Sequence, residues 1–261
     1  MVVKKKFHML GQAAEHSRKE KWALFKNMAR YAASLRERPH IRKPYQFILM
    51  AAAVFAAYYP AGFSGICSID DQDMVKHLAN QKFWTFKEVF VPGSQDGVYY
   101  RPILSLSFFL DKFLFRLDPG FMHLENVVLH AINAFLLYWF VYQLIPAYRK
   151  GKSYLPLISA LVFGLHPVNA ESVNWISGRT DVLASTFVLL SANCLMLFKQ
   201  SSFFPFLAGS GFFMLLGFLV KEIALAFLPG ALLIMFVKDG GSGENMRVHE
   251  KGPAFRLKNN A

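Results

Sequence analysis

His166-Pro167-Val168-Asn169-Ala170-Glu171-Ser172-Val173-Asn174-Trp175-Ile176-Ser177-Gly178-Arg179-Thr180-Asp181 is a polar connection set directly between two apolar stretches. It bears directly on the fold, because two other polar clusters occupy equivalent places. Ile69-Asp70-Asp71-Gln72-Asp73 follows the first apolar stretch, and Lys221-Glu222 separates the last two. A chain that threads a membrane once per apolar stretch brings all three clusters to the same side. A polar active site assembled at the lip of a bilayer needs that arrangement.

The apolar stretches around these clusters lie at about 46–63, 123–145, 154–167, 181–198, 203–220 and 223–237. Hydrophobic residues make up 54% of the chain and aromatics 16%, which is too apolar for an ordinary soluble domain of this length. The expected fold is therefore an all-α membrane protein of about six transmembrane helices. Several stretches fall short of the ~20 residues of a full crossing, so they are expected to extend into their flanks or to tilt and pair. Lys221-Glu222 demands a tight reversal or one broken, re-entrant segment. Three regions follow: a basic cytoplasmic leader over 1–45, a transmembrane region over 46–237, and a flexible polar tail over 238–261.

Charge sets the expected orientation. With the N-terminus inside, segments 1–45, 146–153, 199–202 and 238–261 hold 12, 3, 1 and 5 Lys and Arg, which is 21 of the 29. They hold only 6 of the 17 acidic residues, as the positive-inside rule requires. The positive charge is thus a topology signal, and no nucleic acid is expected as a partner. No secretory signal peptide precedes the first stretch, which reads as a retained anchor. Within the leader, Trp22, Phe25, Ala29 and Ala32 recur at helical spacing among basic residues, a pattern that suits either a helix on anionic lipid or a solvated leader. The long first outer loop, 64–122, carries Trp84, Phe86, Phe90, Tyr99 and Tyr100, then an apolar run from Pro102 that Asp118-Pro119-Gly120 breaks. Helices lying at the membrane interface are expected there. Cys67 and Cys194 sit at different depths and imply no disulfide.

Each polar residue has a structural reading beside a chemical one. Asp70 and Asp71 could divide labour between proton acceptance and acceptor orientation, or could simply start a helix. In the 166–181 connection, His166 ends a helix that Pro167 cannot continue. Asp181 could N-cap the next helix, Trp175 could anchor at the interface, and Arg179 could pair with Glu171 or Asp181 or bind a phosphate. Lys221 and Glu222 could form an internal pair, and Arg101 could meet a headgroup or a carboxylate. Asn126 and His130, four apart on one helical face, more often link helices than bind substrate.

Taken in order, Asp70-Asp71, Tyr100-Arg101-Pro102, Asp118-Pro119, His123-Leu124-Glu125-Asn126-Val127-Val128-Leu129-His130, His166-Pro167-Val168, Glu171, Gly178-Arg179-Thr180-Asp181 and Lys221-Glu222 resemble the N-terminal membrane region of the GT-C glycosyltransferases. The nearest branch is the protein O-mannosyltransferase-like, transmembrane-and-tetratricopeptide family, and the likeness runs from about Gly65 to Val237. The resemblance implies a transferase that uses a polyprenyl-phosphate-linked sugar donor and a protein or glycan acceptor hydroxyl. Asp70 would be the general base and Asp71 would help to hold the acceptor. Arg101, Arg179 and Lys221 would stabilise the leaving phosphate, with Glu171 positioning Arg179 or the sugar. His166, Asp181 and Glu222 complete the expected substrate-binding set.

No cofactor is required; a divalent metal could sit on the acidic pair, but no full oxygen-ligand set is visible. Family members carry about twice as many spans and a repeat domain, so the likeness implies an N-terminal half and possible dependence on a second membrane subunit. The alternatives are a non-catalytic scaffold that binds lipid-linked sugar or a fuller transferase, and a small transporter. A prokaryotic cytoplasmic membrane with the active face outside is preferred, or the endoplasmic reticulum in a eukaryote.

Overall fold

The computed structural model describes Glu15, Trp22 and residues 44–63, 65–66, 69–80, 89–91, 100–145 and 153–236. The remaining leader residues, Cys67, Trp84, Phe86, Tyr99, the loop 146–152 and the tail from 237 lie outside the described residues.

Among the described residues every regular element is helical. Helix α1 spans Pro44–Tyr58 and runs into a 3-10 turn at Tyr59–Phe63. The region between the first two long apolar helices contributes α2, Ile69–Asn80, and α3, Pro102–Phe115. Then come α4, Pro119–Leu144, α5, Leu155–Leu165, and the short α6, Ala170–Asn174. Helix α7 spans Arg179–Ser201, α8 spans Phe204–Val220, and α9 spans Phe227–Phe236.

Three stretches, Tyr45–Phe63, Pro119–Leu144 and Arg179–Ser201, are long and apolar enough to cross a membrane. The other three apolar stretches form shorter helices, so the expectation of six spans is met by three helices of spanning length. Proline limits the shortest. Helix α5 has Pro156 in its first turn and stops at Leu165, before Pro167 opens a 3-10 turn at Pro167–Asn169. Its 11 residues rise about 16 Å, roughly half the hydrocarbon thickness.

The break expected at Asp118-Pro119 is present. Arg116 and Leu117 adopt left-handed backbone (φ 53° and 60°), and the Asp118 side chain then accepts the Phe121 amide while Pro119 takes the first helical position. A Cβ on Gly120 would come within 2.9 Å of the Gly62 carbonyl oxygen, so α4 begins tight against the turn that ends α1.

Polarity in the bundle is inverted relative to a soluble protein. On α4, His123, Asn126, His130 and Asn133 are buried, whereas Leu124, Val128, Ile132 and Phe135 are exposed. The buried polar groups reach backbone carbonyls on other segments: Asn126 Nδ2 donates to Trp175 O at 2.7 Å and Asn133 Nδ2 to Val182 O at 2.8 Å. The His130 ring lies 3.1 Å from Gly164 O. Asn126 and His130 are thus helix links. In hydrocarbon such groups have no water to return to, so they fix how the helices pack.

Helices α7 and α8 approach closely through small residues, with Ser191 Oγ donating to Ser210 O at 2.9 Å. Lys221 is extended, and the 3-10 turn at Glu222–Ala226 reverses the chain into α9. Lys199 near the end of α7 donates to Ile234 O, so α9 runs back alongside α7. Lys221-Glu222 is therefore a true reversal.

Candidate functional site

The three polar connections meet at one end of the bundle. Asp70, Arg101, Glu171, Ser172, Trp175, Ser177, Gly178, Thr180, Asp181 and Lys221 line a polar cleft of about 270 Å³. Five of the nine residues singled out from the sequence are in that lining.

The cleft floor is the Trp175–Ser177 backbone, which is tied from two sides. Asp71 is fully buried, and its carboxylate accepts the Ile176 amide at 3.2 Å and the Ser177 amide at 2.8 Å. From α4, Asn126 holds the Trp175 carbonyl. Gly178 packs so closely that a Cβ there would lie 2.8 Å from Ser172 Cα and nearer still to the Ser172 carbonyl oxygen. The expectation that Asp71 holds an acceptor therefore gives way to a structural role, since its carboxylate is fully buried, takes two backbone amides and lies outside the cleft lining. Asp70, the preceding residue of α2, is turned by about 100° from Asp71 and lines the cleft.

Asp71→Ala is expected to cost about 2 kcal/mol, because it strands buried amides. It should lower the thermal midpoint in detergent and speed amide exchange at Ile176 and Ser177; unchanged exchange there would sink the assignment. Gly178→Ala is expected to destabilise by about 1–3 kcal/mol through backbone overlap. An unshifted thermal midpoint would show that the loop can yield.

Arg179 is not in the cleft. Its side chain has no exposure and its guanidinium is spent on protein partners. Nη1 is paired with Asp111, Nη2 with Glu125 at 3.0 Å and with Met122 O at 2.9 Å, and Nε donates to Asn126 Oδ1 at 3.1 Å. The Phe108 ring covers it at 4.7 Å from the centroid. Arg179 thus joins α7 to α3 and α4 behind the cleft wall, and the expectation of a phosphate ligand, or of a pair with Glu171 or Asp181, is corrected. Five donors in a planar fork fit this four-way junction as no lysine would. Neither Asp111 nor Glu125 is among the site residues expected from the sequence. The signal was present: a lone carboxylate within the apolar run of α3, and another in α4, both demand a cation.

The two cations that do line the cleft are held by carboxylates. Lys221 Nζ pairs with Asp181. Arg101 Nη2 lies 2.9 Å and 3.2 Å from the two oxygens of Glu222. Adjacent residues at the reversal thus strap it to α7 and to the start of α3. Glu222 is exposed; its own backbone amide, then the Arg101 guanidinium, hold its carboxyl below the ordinary carboxylate range. Asp181 lies in the first turn of α7, and its side chain goes to Lys221 with no capping bond at Gly178. His166 is exposed outside the cleft lining, where Nδ1 accepts the Val168 amide and starts the 3-10 turn.

A second hollow adjoins the first. An apolar groove of about 330 Å³ runs between α4, α5, α7 and the reversal, lined among others by Leu137, Phe163, Val188, Leu189, Ile223 and Phe227. Asp181 lines it too, so the groove and the polar cleft share that residue. Among the described residues, no three His, Cys, Asp or Glu side chains lie close enough to hold a metal ion.

No family model and no solved structure matches the chain. Curated proteins do. Over 158 residues the chain is 32% identical to mouse protein O-mannosyl-transferase TMTC2, covering 56% of this chain and 18% of that protein. The human TMTC2 protein is 32% identical over 161 residues, with the same shares. Mouse protein O-mannosyl-transferase TMTC1 is 39% identical over 92 residues, 35% of this chain and 9% of that protein. The chain spans less than a fifth of the length of these relatives. Their names agree with the resemblance read from the sequence.

Proposed function

We propose that the chain is an integral-membrane glycosyltransferase, or the catalytic-face part of one, which moves a sugar from a polyprenyl-phosphate donor to an acceptor hydroxyl. The observation that carries this reading is the polar cleft, with Asp70 and two cations, which shares Asp181 with an adjoining apolar groove. That juxtaposition suits a ligand with a sugar, a phosphate and a hydrocarbon tail. The O-mannosyl-transferase names of the relatives support the reaction class.

In this reading Asp70 takes the proton of the acceptor hydroxyl as its oxygen attacks the anomeric carbon in line. The bond from that carbon to the phosphate oxygen breaks, its electron pair leaves with the lipid phosphate, and the anomeric centre inverts. Lys221 and Arg101 meet the charge that grows on the phosphate, where preorganised cations act on the transition state. Glu171 positions the sugar, and the tail lies in the groove. Asp71 and Arg179 act indirectly, by holding the floor and wall.

The same reading has six crossings, the three shorter helices tilted or in thinned bilayer. The leader is inside and the cleft faces the outer or luminal side. The animal relatives favour an endoplasmic-reticulum membrane over the prokaryotic one that the sequence reading preferred.

The test is transfer of labelled hexose from a polyprenyl-phosphate donor by the purified chain, alone and with solubilised host membranes. Transfer by the chain alone supports a self-sufficient enzyme. Transfer only with membranes supports a part that needs a second subunit. No transfer in either setting, with the chain folded, would replace the enzyme with a scaffold.

A further inference from the structure

Resting on the donor reading above, one residue at the junction of cleft and groove has a role that reading does not assign. Asp181 pairs with Lys221, lines both hollows, and stands in the first turn of α7. Carboxylate and phosphate compete for the same partners: an ammonium and the positive end of a helix. An anion entering along the groove toward Lys221 therefore meets a position that Asp181 already fills.

We propose that Asp181 is a built-in competitor for the lipid phosphate: it holds Lys221 while the site is empty and surrenders it when a single-chain isoprenyl phosphate enters, so that binding proceeds by ion-pair exchange. One observation and two chemical facts carry this assignment. The pair is accessible, with 26% exposure for the Lys221 side chain and 47% for Asp181, and ion pairs in contact with water cost little to separate. Lys221 is a point charge on a flexible four-carbon stem, so it can turn from one anion to the other. A phosphate brings more charge and more acceptor oxygens than the carboxylate it replaces. The second cleft cation differs: Glu222 holds Arg101 through both oxygens, and neither residue borders the groove.

The exchange gives specificity through the tail. Free phosphate must displace Asp181 with no help, whereas an isoprenyl phosphate adds apolar burial against Val188, Leu189, Ile223 and Phe227. The carboxylate thus sets a threshold that a headgroup alone crosses poorly.

The sign of the predicted effect is unusual: removing a charged residue from the site should tighten binding. Farnesyl phosphate, farnesol and inorganic phosphate are titrated against the full chain in detergent, for wild type, Asp181→Asn, Lys221→Gln and the double variant. Asp181→Asn should bind farnesyl phosphate about fivefold tighter than wild type, in line with the modest strength of a water-exposed pair, and farnesol unchanged. Lys221→Gln should bind it more weakly, and in that background the gain from Asp181→Asn should vanish. Asp181→Ser is the second variant if the amide perturbs folding, with the same direction expected.

Wild-type binding of farnesyl phosphate with no gain, or a loss, in the Asp181 variants overturns the inference alone. A gain that persists without Lys221 also overturns it, since exchange needs that lysine. Equal affinity for inorganic phosphate and farnesyl phosphate overturns the lipid assignment. No farnesyl phosphate binding by wild type or any variant overturns the inference and the donor reading together.

Discussion

Asp70→Asn is expected to lower sugar transfer by about 10²–10⁴-fold, the usual contribution of a positioned general base. The variant keeps the size and hydrogen-bonding shape of the side chain but cannot take the hydroxyl proton. Asp70 is exposed in the first turn of α2, so the fold should survive the change. Its electrostatic cost at a helix N-terminus is about 0.3–1 kcal/mol. Activity and stability are therefore separable at this position. Asp71, the next residue, should behave in the opposite way: stability falls first, and transfer falls only as the floor loosens. An Asp70→Asn chain that transfers at the wild-type rate, with the floor intact by amide exchange, would remove Asp70 from the mechanism.

Arg179→Met is expected to destabilise the chain by about 3–5 kcal/mol, the cost of breaking a buried ion pair from one side. The loss leaves Asp111 buried without its cation and frees Asn126 Oδ1 and Met122 O from their donor. The measurement is yield of folded protein and its thermal midpoint in detergent. Arg179→Lys should recover only part of the loss, because one ammonium cannot reach four acceptors spread over α3 and α4. Pairing Arg179→Met with Asp111→Leu should restore stability well beyond the single variant, since both buried charges then go together. Glu125 is half-exposed and can turn to water. That double variant also discriminates between roles. If it is stable but no longer binds isoprenyl phosphate, Arg179 reaches the ligand after all; if it binds as wild type does, the residue is a structural junction.

Much of the architecture was legible because membrane burial imposes coarse rules on composition. Apolar runs between polar connections placed all six apolar helices of the bundle near their observed positions, with Asp118-Pro119 starting α4 and His166-Pro167 ending α5 as caps and proline require. The convergence of Asp70, Arg101, Glu171, Asp181 and Lys221 also follows from alternation along the chain. Helix length was less legible, since the residue at which a helix stops depends on its neighbours. An 11-residue helix such as α5 is stabilised by packing on α1 and α4, and hydropathy alone extended it.

The all-helical membrane fold, the gathering of the polar connections at one end and the resemblance to a transferase family all follow from the order of residues along the chain. Those properties are periodic or ordered along the chain, and they need no partner to be read. Which charged groups are spent on the protein and which face the cleft is settled by packing between distant segments. Arg179 and Asp181 lie two apart in one motif, yet Arg179 is committed to Asp111, 68 residues away, and Asp181 to Lys221, 40 residues away. A side chain's pKa, exposure and reach are set by the groups packed against it. Those come from distant segments, so no local pattern could separate the buried junction from the residue at the mouth of the site.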